Sequence, residues 1–320
     1  MKRLYIYFFL VLLGSTLIAS SQIVQTDSTA LKGKFNNKKV SNSAGFMRSD
    51  SIFSFRSAKG YIPSLLGNFA EQASAPFRFN KKQWIITGVS IGITAALIHF
   101  DNHIDMWAKV QKQQHGWVNK SSPVITNFGS SYGITTVAAV GLVSAIFKNQ
   151  KGVETSLLAS QALITSGIWV QLIKHLTGRE DPSASYIYSK MPGGQWWGPF
   201  AQYDQDLPIY KSVNSFDAFP SGHSAAAFSM ATVFALQYRD TKVIPVICYS
   251  AATLVGISRL TEHAHWASDV FVGGLIGYAC GKQVVDHHNK LYSKPTPGQK
   301  VKPEFSIIQN ANQVGISVKW

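Results

Sequence analysis

Lys174-His175-Leu176-Thr177-Gly178-Arg179-Glu180-Asp181-Pro182 follows directly on an apolar run, residues 155–173, and concentrates charge where that run ends. Two further polar clusters stand in the same relation to apolar runs. Pro220-Ser221-Gly222-His223 opens the run 222–238, and Ser258-Arg259 closes the run 243–258, with His265 and Asp269 at the start of 267–281. Runs at 83–100 and 130–147 complete a set of six. Each exceeds strand length and is rich in Ala, Leu, Ile and Gly without strict alternation, which predicts helices. Consecutive helices on short links run antiparallel. The end of the third, the start of the fourth, the end of the fifth and the start of the sixth therefore share one side of the bundle, where one pocket can hold all the clusters. The expected fold class is all-α, a six-helix bundle.

Working outward, residues 1–21 pair Lys2 and Arg3 with the uncharged run Leu4–Ser21, in which Ala19 and Ser21 stand as the small residues of a cleavage site. This predicts a signal peptide or an uncleaved N-terminal anchor. Residues 22–82 are polar and are expected to form a poorly ordered leader, with one short amphipathic helix near Ile62–Phe69. The helical domain spans 83–286. The tail, 287–320, ends in alternating Val314, Ile316, Val318 and Trp320, a strand pattern over 314–320 with Phe305–Ile308 as its candidate hairpin partner. Such a hairpin is marginal alone and should dock on the bundle or on a membrane.

The chain is 46% hydrophobic and 14% charged, with mean hydropathy +0.04. These averages leave two readings open, a six-span membrane bundle or a soluble helical domain with a very apolar core, because the runs are short beside the ~20 residues that cross a bilayer. The net charge of +14 is scattered through loops and tails, which argues against a nucleic-acid partner. An anionic lipid surface or a phosphorylated substrate fits better. Cys248 and Cys280 lie within apolar runs and read as small buried residues, not as a disulfide framework.

The clustered residues suggest their own chemistry. Lys174, Arg179 and Arg259 bring fixed positive charge, while Ser221 and the amides of Gly222 and His223 sit at a helix N-terminus, the donors of an oxyanion cradle. Gly222 lets backbone approach an anion closely. A Ser-Gly helix cap with no ligand is the blander alternative. His265 and Asp269 are four apart, so a helix starting near His265 lets the carboxylate accept from imidazole Nδ1 and leaves Nε2 as a nucleophile. His223, arriving from another helix, is placed to protonate the departing oxygen.

These stretches resemble the three-part signature of the type 2 phosphatidic acid phosphatase and vanadium haloperoxidase superfamily, with Trp266 and Val270 also similar to its usual pattern. The resemblance implies the six-helix phosphatase bundle. It further implies that Lys174 and Arg259 grip phosphate oxygens, that Ser221 and Gly222 donate hydrogen bonds, and that His265 attacks phosphorus, Asp269 orients it and His223 acts as acid. The first part departs from the pattern: Asp181 stands where arginine is expected. Asp181 is expected to turn away or to pair with Arg179 or a substrate cation, and Arg179, two residues earlier, to supply the missing guanidinium at the phosphate.

The expected function is hydrolysis of a phosphate monoester or diphosphate through a phosphohistidine, with no cofactor and no metal. Partners are a phosphorylated lipid or small phosphate ester, and a membrane. Undecaprenyl diphosphate, phosphatidic acid, phosphatidylglycerol phosphate, lipid A phosphates and soluble esters all remain open as substrates. The expected location is the cell envelope, with the site on the periplasmic side of the inner membrane or in a soluble periplasmic enzyme. A vanadium haloperoxidase using the same cradle and a catalytically dead interaction protein are the competing classes. His175, Glu262 and His263 lack ligand-like spacing for zinc. Tyr186, Tyr188, Trp196, Trp197, Phe200, Tyr203 and Tyr210, between the first two motifs, either form a lid or pack on their own domain.

Overall fold

The computed structural model describes residues 58–188, 193–204, 213–292, 304–310 and 313–319. The expected signal or anchor segment, the leader up to residue 57, Tyr210 and the side chains of Tyr186 and Tyr188 lie outside the described residues. The helices are α1 (Ala58–Ser74), α2 (Lys81–Gln114), α3 (Gly116–Thr126), α4 (Ser131–Ile146), α5 (Gln150–Thr177), α6 (Pro182–Tyr188), α7 (Gly222–Gln237), α8 (Val243–Thr261) and α9 (Ala267–Tyr292). The six apolar runs are α2, α4, α5, α7, α8 and α9. The count of six falls short, because α1, α3 and α6 are also helical among the described residues.

Helix ends follow from local chemistry. Asn80 and Gln83 form a reciprocal capping box at the start of α2, Gln83 N donating to Asn80 Oδ1 at 3.0 Å and Asn80 N to Gln83 Oε1 at 2.9 Å. Asn149 caps α5, which ends at Gly178 in the left-handed region (φ 53°). Helix α7 is central and packs against α5, α8 and α9. A glycine stripe on α9, Gly273, Gly277 and Gly281, lies against the α7 backbone, where an added Cβ would collide with Ser221, Ala225 and Ser229. Four-residue spacing puts the three on one face, and their missing side chains let two helices approach closely. Below this contact Val140, Leu158, Ala162, Val233 and Val284 form the main core.

The outer surface is apolar. Trp84, Ile85, Ile91 and Phe100 on α2, Ile164 and Ile168 on α5, and Val246 and Leu254 on α8 are exposed. Helices α2, α5 and α8 are long and apolar enough to cross a membrane, and the bent pair 116–129 and 131–146 makes a fourth span if counted as one. Large contiguous apolar exposure of this kind marks a membrane or partner surface.

The stretch expected to be a loose leader contains α1, and polar side chains dock it between α5 and α9. Asn68 Nδ2 donates to Gln161 Oε1 at 2.9 Å, Gln72 Nε2 to Gln283 Oε1 at 2.9 Å, and Glu71 pairs with His287 Nδ1 at 3.1 Å. In the tail, β1 (Glu304–Asn310) and β2 (Gln313–Lys319) pair antiparallel with Phe305 opposite Val318 and Ile307 opposite Ile316; residue 320 lies outside the described residues. Cys248 and Cys280 are both free thiols.

Candidate active site

The ends of α5 and α8 and the starts of α7 and α9 meet on one side of the bundle, where each is tied to the next. Ser221 N donates to the Asp269 carbonyl at 3.0 Å, fixing the α7 N-terminus on α9. The Ser221 hydroxyl is fully buried and caps α7, accepting from Ser224 N at 3.4 Å and Ser224 Oγ at 3.0 Å. The cap is therefore real, and it leaves the Ser221 hydroxyl proton and the first-turn amides of Gly222 and His223 as the donors that a helix N-terminus offers to an anion.

His265 is 6% exposed and lies two residues ahead of α9. Its Nδ1 is 2.8 Å from the Ala218 carbonyl oxygen and 3.8 Å from Asp269 Oδ2. This corrects the expected imidazole–carboxylate hydrogen bond. The helix starts too late to set a four-residue pairing, and both Asp269 oxygens are engaged: Oδ1 accepts from Arg179 at 2.6 Å and Oδ2 from Trp266 N at 2.8 Å. A carbonyl can only accept, so Nδ1 carries the hydrogen and Nε2 carries the lone pair.

Burial first, then the charges of Lys174 and Arg259, push the His265 imidazole down from 6.5 to about 3, only partly offset by Asp181 and the Ala218 bond. His265 therefore stays neutral across the mildly acidic range. Because the unfolded chain takes up this proton first, the associated stability is present above about 6.5 and is lost as pH falls toward 3. In nitrogen-15 imidazole spectra the His265 signals should keep the neutral Nδ1–H pattern at pH 5, and a cationic pattern there contradicts the assignment.

The cations separate into two groups. Lys174, nearly buried, places Nζ 3.1 Å from Asp217 Oδ2 and faces His223 and His265. Arg259 donates through Nη1 to Thr126 Oγ1 at 2.7 Å, while its buried Nε has no hydrogen-bond partner. These two charges act on both His223 and the imidazole of His265. His223 is backed by Gly129, where an added Cβ would lie 2.8 Å from His223 Cβ.

Arg179 belongs elsewhere, and its expected place at the phosphate is corrected. It is fully buried and its donors are spent: Nη1 on Ser268 Oγ and Asp269 Oδ1, each at 2.6 Å, Nη2 on Asp101 Oδ2 at 2.7 Å, and Nε and Nη2 on the Gly193 carbonyl at 3.3 and 2.8 Å. Two carboxylates compete for this guanidinium and satisfy it. Asp181 does not pair with Arg179, whose donors are all engaged elsewhere. Its Oδ1 accepts from Ser183 N at 2.7 Å and Ser183 Oγ at 2.5 Å, at the start of α6. Its charge still acts on His265 and Arg259, and burial raises its own affinity for a proton.

The aromatic segment packs partly on its own domain. Trp197 donates from Nε1 to Glu180 Oε1 at 2.8 Å, and Trp196 lies over the Arg179 guanidinium at 4.7 Å and against Phe219. Phe200 and Tyr203 remain 61% and 63% exposed beside the site, with Tyr203 Oη 3.0 Å from His175 Nε2. Among the described residues no three of His, Cys, Asp and Glu converge as a metal-binding group, and His175, Glu262 and His263 each have separate neighbours.

Sequence reasoning missed Asp101, Asn102, Asp105, Asp217 and the Ala218 carbonyl. A signal for the first existed, since an aspartate directly at the end of an apolar helical run, once buried, needs a partner. The carbonyl had none.

The family model described as PAP2 superfamily matches residues 155–292, which contain Lys174, Arg179, Ser221, Gly222, His223, Arg259, His265 and Asp269. A lipid A 1-phosphatase of Porphyromonas gingivalis is 42% identical over 81 residues, 25% of this chain and 18% of that protein. A probable diacylglycerol pyrophosphate phosphatase of Schizosaccharomyces pombe is 27% identical over 144 residues, 38% of this chain and 52% of that one. The chain thus spans about half or less of the length of these curated relatives. Among solved structures, Aquifex aeolicus LpxE aligns at TM-score 0.40 with 24% identity, over 54% of this chain and 87% of that one. A Bacillus subtilis PAP2-type phosphatidylglycerolphosphate phosphatase aligns at TM-score 0.42 with 19% identity, over 63% and 95%.

Proposed function

We propose, from the premise that residues 155–292 form a PAP2 superfamily segment, that the protein is a membrane-bound lipid phosphatase of the cell envelope working through a phosphohistidine on His265. The observation that carries this reading is the Ala218 carbonyl holding His265 Nδ1–H, which leaves Nε2 unprotonated with its lone pair free, in the field of Lys174 and Arg259. Burial, then the charge of Arg259, push the His223 imidazole down to about 3 in the free site, so it takes up a proton with the substrate anion, whose charge offsets those cations. Nε2 attacks phosphorus, the P–O bond to the leaving group breaks, and His223 passes that proton to the departing oxygen. Water, deprotonated by His223, then attacks the phosphohistidine and releases phosphate. Lys174 and Arg259 compensate the charge on the equatorial oxygens through both steps. No metal or cofactor takes part in this scheme.

The apolar outer faces of α2, α5 and α8 and the exposed Phe200 and Tyr203 near the site favour a substrate delivered from a bilayer over a soluble ester. The named activities of the two relatives make lipid A 1-phosphate and diacylglycerol diphosphate the first candidates. We place the site on the periplasmic face. Phosphate release from detergent-solubilised protein should be measured on lipid A, diacylglycerol diphosphate, phosphatidic acid, phosphatidylglycerol phosphate, undecaprenyl diphosphate and a soluble aryl phosphate. The reading expects release from at least one lipid that exceeds the soluble ester; release from none sinks it.

Asp181 makes this a weakened catalyst, because a carboxylate near bound phosphate opposes it and Arg179 is fully committed elsewhere. Asp181→Arg should raise kcat/KM by about 10-fold or more, since one well-placed donor contributes about 2.7–4 kcal/mol to a transition state and the lost α6 cap takes back only about 1 kcal/mol. Unchanged kcat/KM would mean that Asp181 is remote from the phosphoryl group.

A further inference from the structure

One turn of α2, Asp101-Asn102-His103-Ile104-Asp105, reaches three different loops of the site. Asp101 Oδ2 accepts from Arg179 Nη2 and from Ser268 Oγ at 2.6 Å, and its Oδ1 accepts from Ser268 N at 3.0 Å. Asn102 Oδ1 accepts from Gly193 N at 2.6 Å. Asp105 Oδ1 lies 2.7 Å from Nδ1 of His263, two residues before His265.

The last contact is costly by two independent measures. His263 is a non-glycine residue at φ 57°, in the left-handed region that a Cβ disfavours. Asp105 is 2% exposed and its Oδ2 has no hydrogen-bond partner, so a buried carboxylate is only half satisfied. Strain and an unpaid desolvation concentrated on one loop point to a constraint that stability alone does not favour. The loop in question is the link 262–266, which leaves α8 after Arg259 and delivers His265 to the Ala218 carbonyl. Backbone bonds from Glu262 N to Ser258 O, His263 N to Leu260 O and Ala264 N to Arg259 O set its turn. Two side-chain pairs tie it to α2, the partly exposed Lys112–Glu262 bridge at 3.0 Å and the more buried Asp105–His263 pair, and the second stands nearer in the chain to His265.

We propose that Asp105, acting through His263, is a positioning residue that fixes the orientation of the His265 imidazole, with Asp101 doing the same for Asp269 from the other side through Arg179 and Ser268. The pair does not touch the phosphoryl group. The kinetic part of this assignment rests on the phosphatase reading above; the orientation of the ring does not.

The test uses the full chain in detergent micelles with Asp105→Ala, Asp105→Asn, His263→Gly and the double variant Asp105→Ala/His263→Gly. Glycine suits the positive φ, so His263→Gly keeps the loop foldable while cutting the link. On a substrate that the unmodified protein hydrolyses, Asp105→Ala and His263→Gly should each lower kcat about 10- to 100-fold with KM changed less than about 3-fold, the range for misplacement by a supporting group. The double variant should lose no more than either single, because both cut one link. Asp105→Asn, which still accepts from His263 Nδ1, should recover most of kcat. In nitrogen-15 spectra the His265 ring should lose its single Nδ1–H tautomer in Asp105→Ala and keep it in Asp105→Asn. An unaltered His265 spectrum in both Asp105→Ala and His263→Gly overturns the positioning role, as does a rise in KM at constant kcat or additive losses. If the unmodified protein hydrolyses no phosphate compound, the phosphatase reading falls and the spectra alone decide the positioning role.

Discussion

His265→Ala should abolish turnover while leaving the protein folded. The imidazole is the attacking group in the proposed cycle, and its Nε2 has no substitute: His223 is needed as the acid, and the remaining groups of the cradle are cations, amide donors and the Ser221 hydroxyl, whose oxygen already accepts from Ser224 N and Ser224 Oγ. Removing a nucleophile from a site that keeps its oxyanion donors typically lowers kcat by 10³-fold or more, on the order of 4 kcal/mol. Stability should move in the opposite direction or little, because the wild-type ring is buried among the positive charges of Lys174 and Arg259, which hold it neutral. The check is phosphate release on the best lipid substrate with melting in the same detergent. Residual activity within about 10-fold of the unmodified protein would remove His265 from the chemistry.

Arg179→Ala should be the most destabilising single change in the site. The guanidinium bridges Asp101 and Asp269, and all three side chains are fully buried. Truncating it strands two carboxylates in a dry interior. Breaking a buried ion pair by removing one partner costs about 3–5 kcal/mol, and here one residue serves two partners. Lysine is no remedy, since a single ammonium cannot reproduce the fork that reaches Asp101, Asp269, Ser268 and the Gly193 carbonyl. Neutralising the carboxylates together with the cation, in Asp101→Asn/Arg179→Met/Asp269→Asn, should recover much of the stability without recovering activity. Melting in detergent checks the first statement. An Arg179→Ala protein as stable as the parent would show that Arg179 is not the hub of this network.

The bundle was legible because helix periodicity and the placement of polar residues at run ends both report on one geometry, and α2, α4, α5, α7, α8 and α9 follow from them. Helices α3 and α6 escaped, and α1 was anticipated only as a short helix near Ile62–Phe69 in a loose leader, for different reasons. Helix α1 is held by Asn68, Gln72 and Glu71, whose partners Gln161, Gln283 and His287 are 93 or more residues away, so its polar face looks like leader composition. Helices α3 and α6 are short and carry no long apolar run. In the site, Ser221 N reaches the Asp269 carbonyl, and the charges of Lys174 and Arg259 act on both His223 and His265. The assignment of Arg179 failed because sequence distance from Asp181 says nothing of direction: the chain turns at Gly178, and the side chain two residues before Asp181 enters the core. The orientation of His265 was illegible for a related reason. It is set by a backbone carbonyl 47 residues earlier, and a carbonyl leaves no mark on residue type.

In the proposed cycle phosphorus passes to one nitrogen of His265. Rapid quenching in alkali of the protein with lipid substrate labelled in the scissile phosphate, followed by proteolysis and mass spectrometry, tests it directly. The expected result is an acid-labile, alkali-stable phosphate on the peptide containing His265, at Nε2, forming and decaying more slowly in His223→Ala because both steps use that residue. A label on another side chain, or phosphate released with no labelled protein at any quench time in either form, would contradict it.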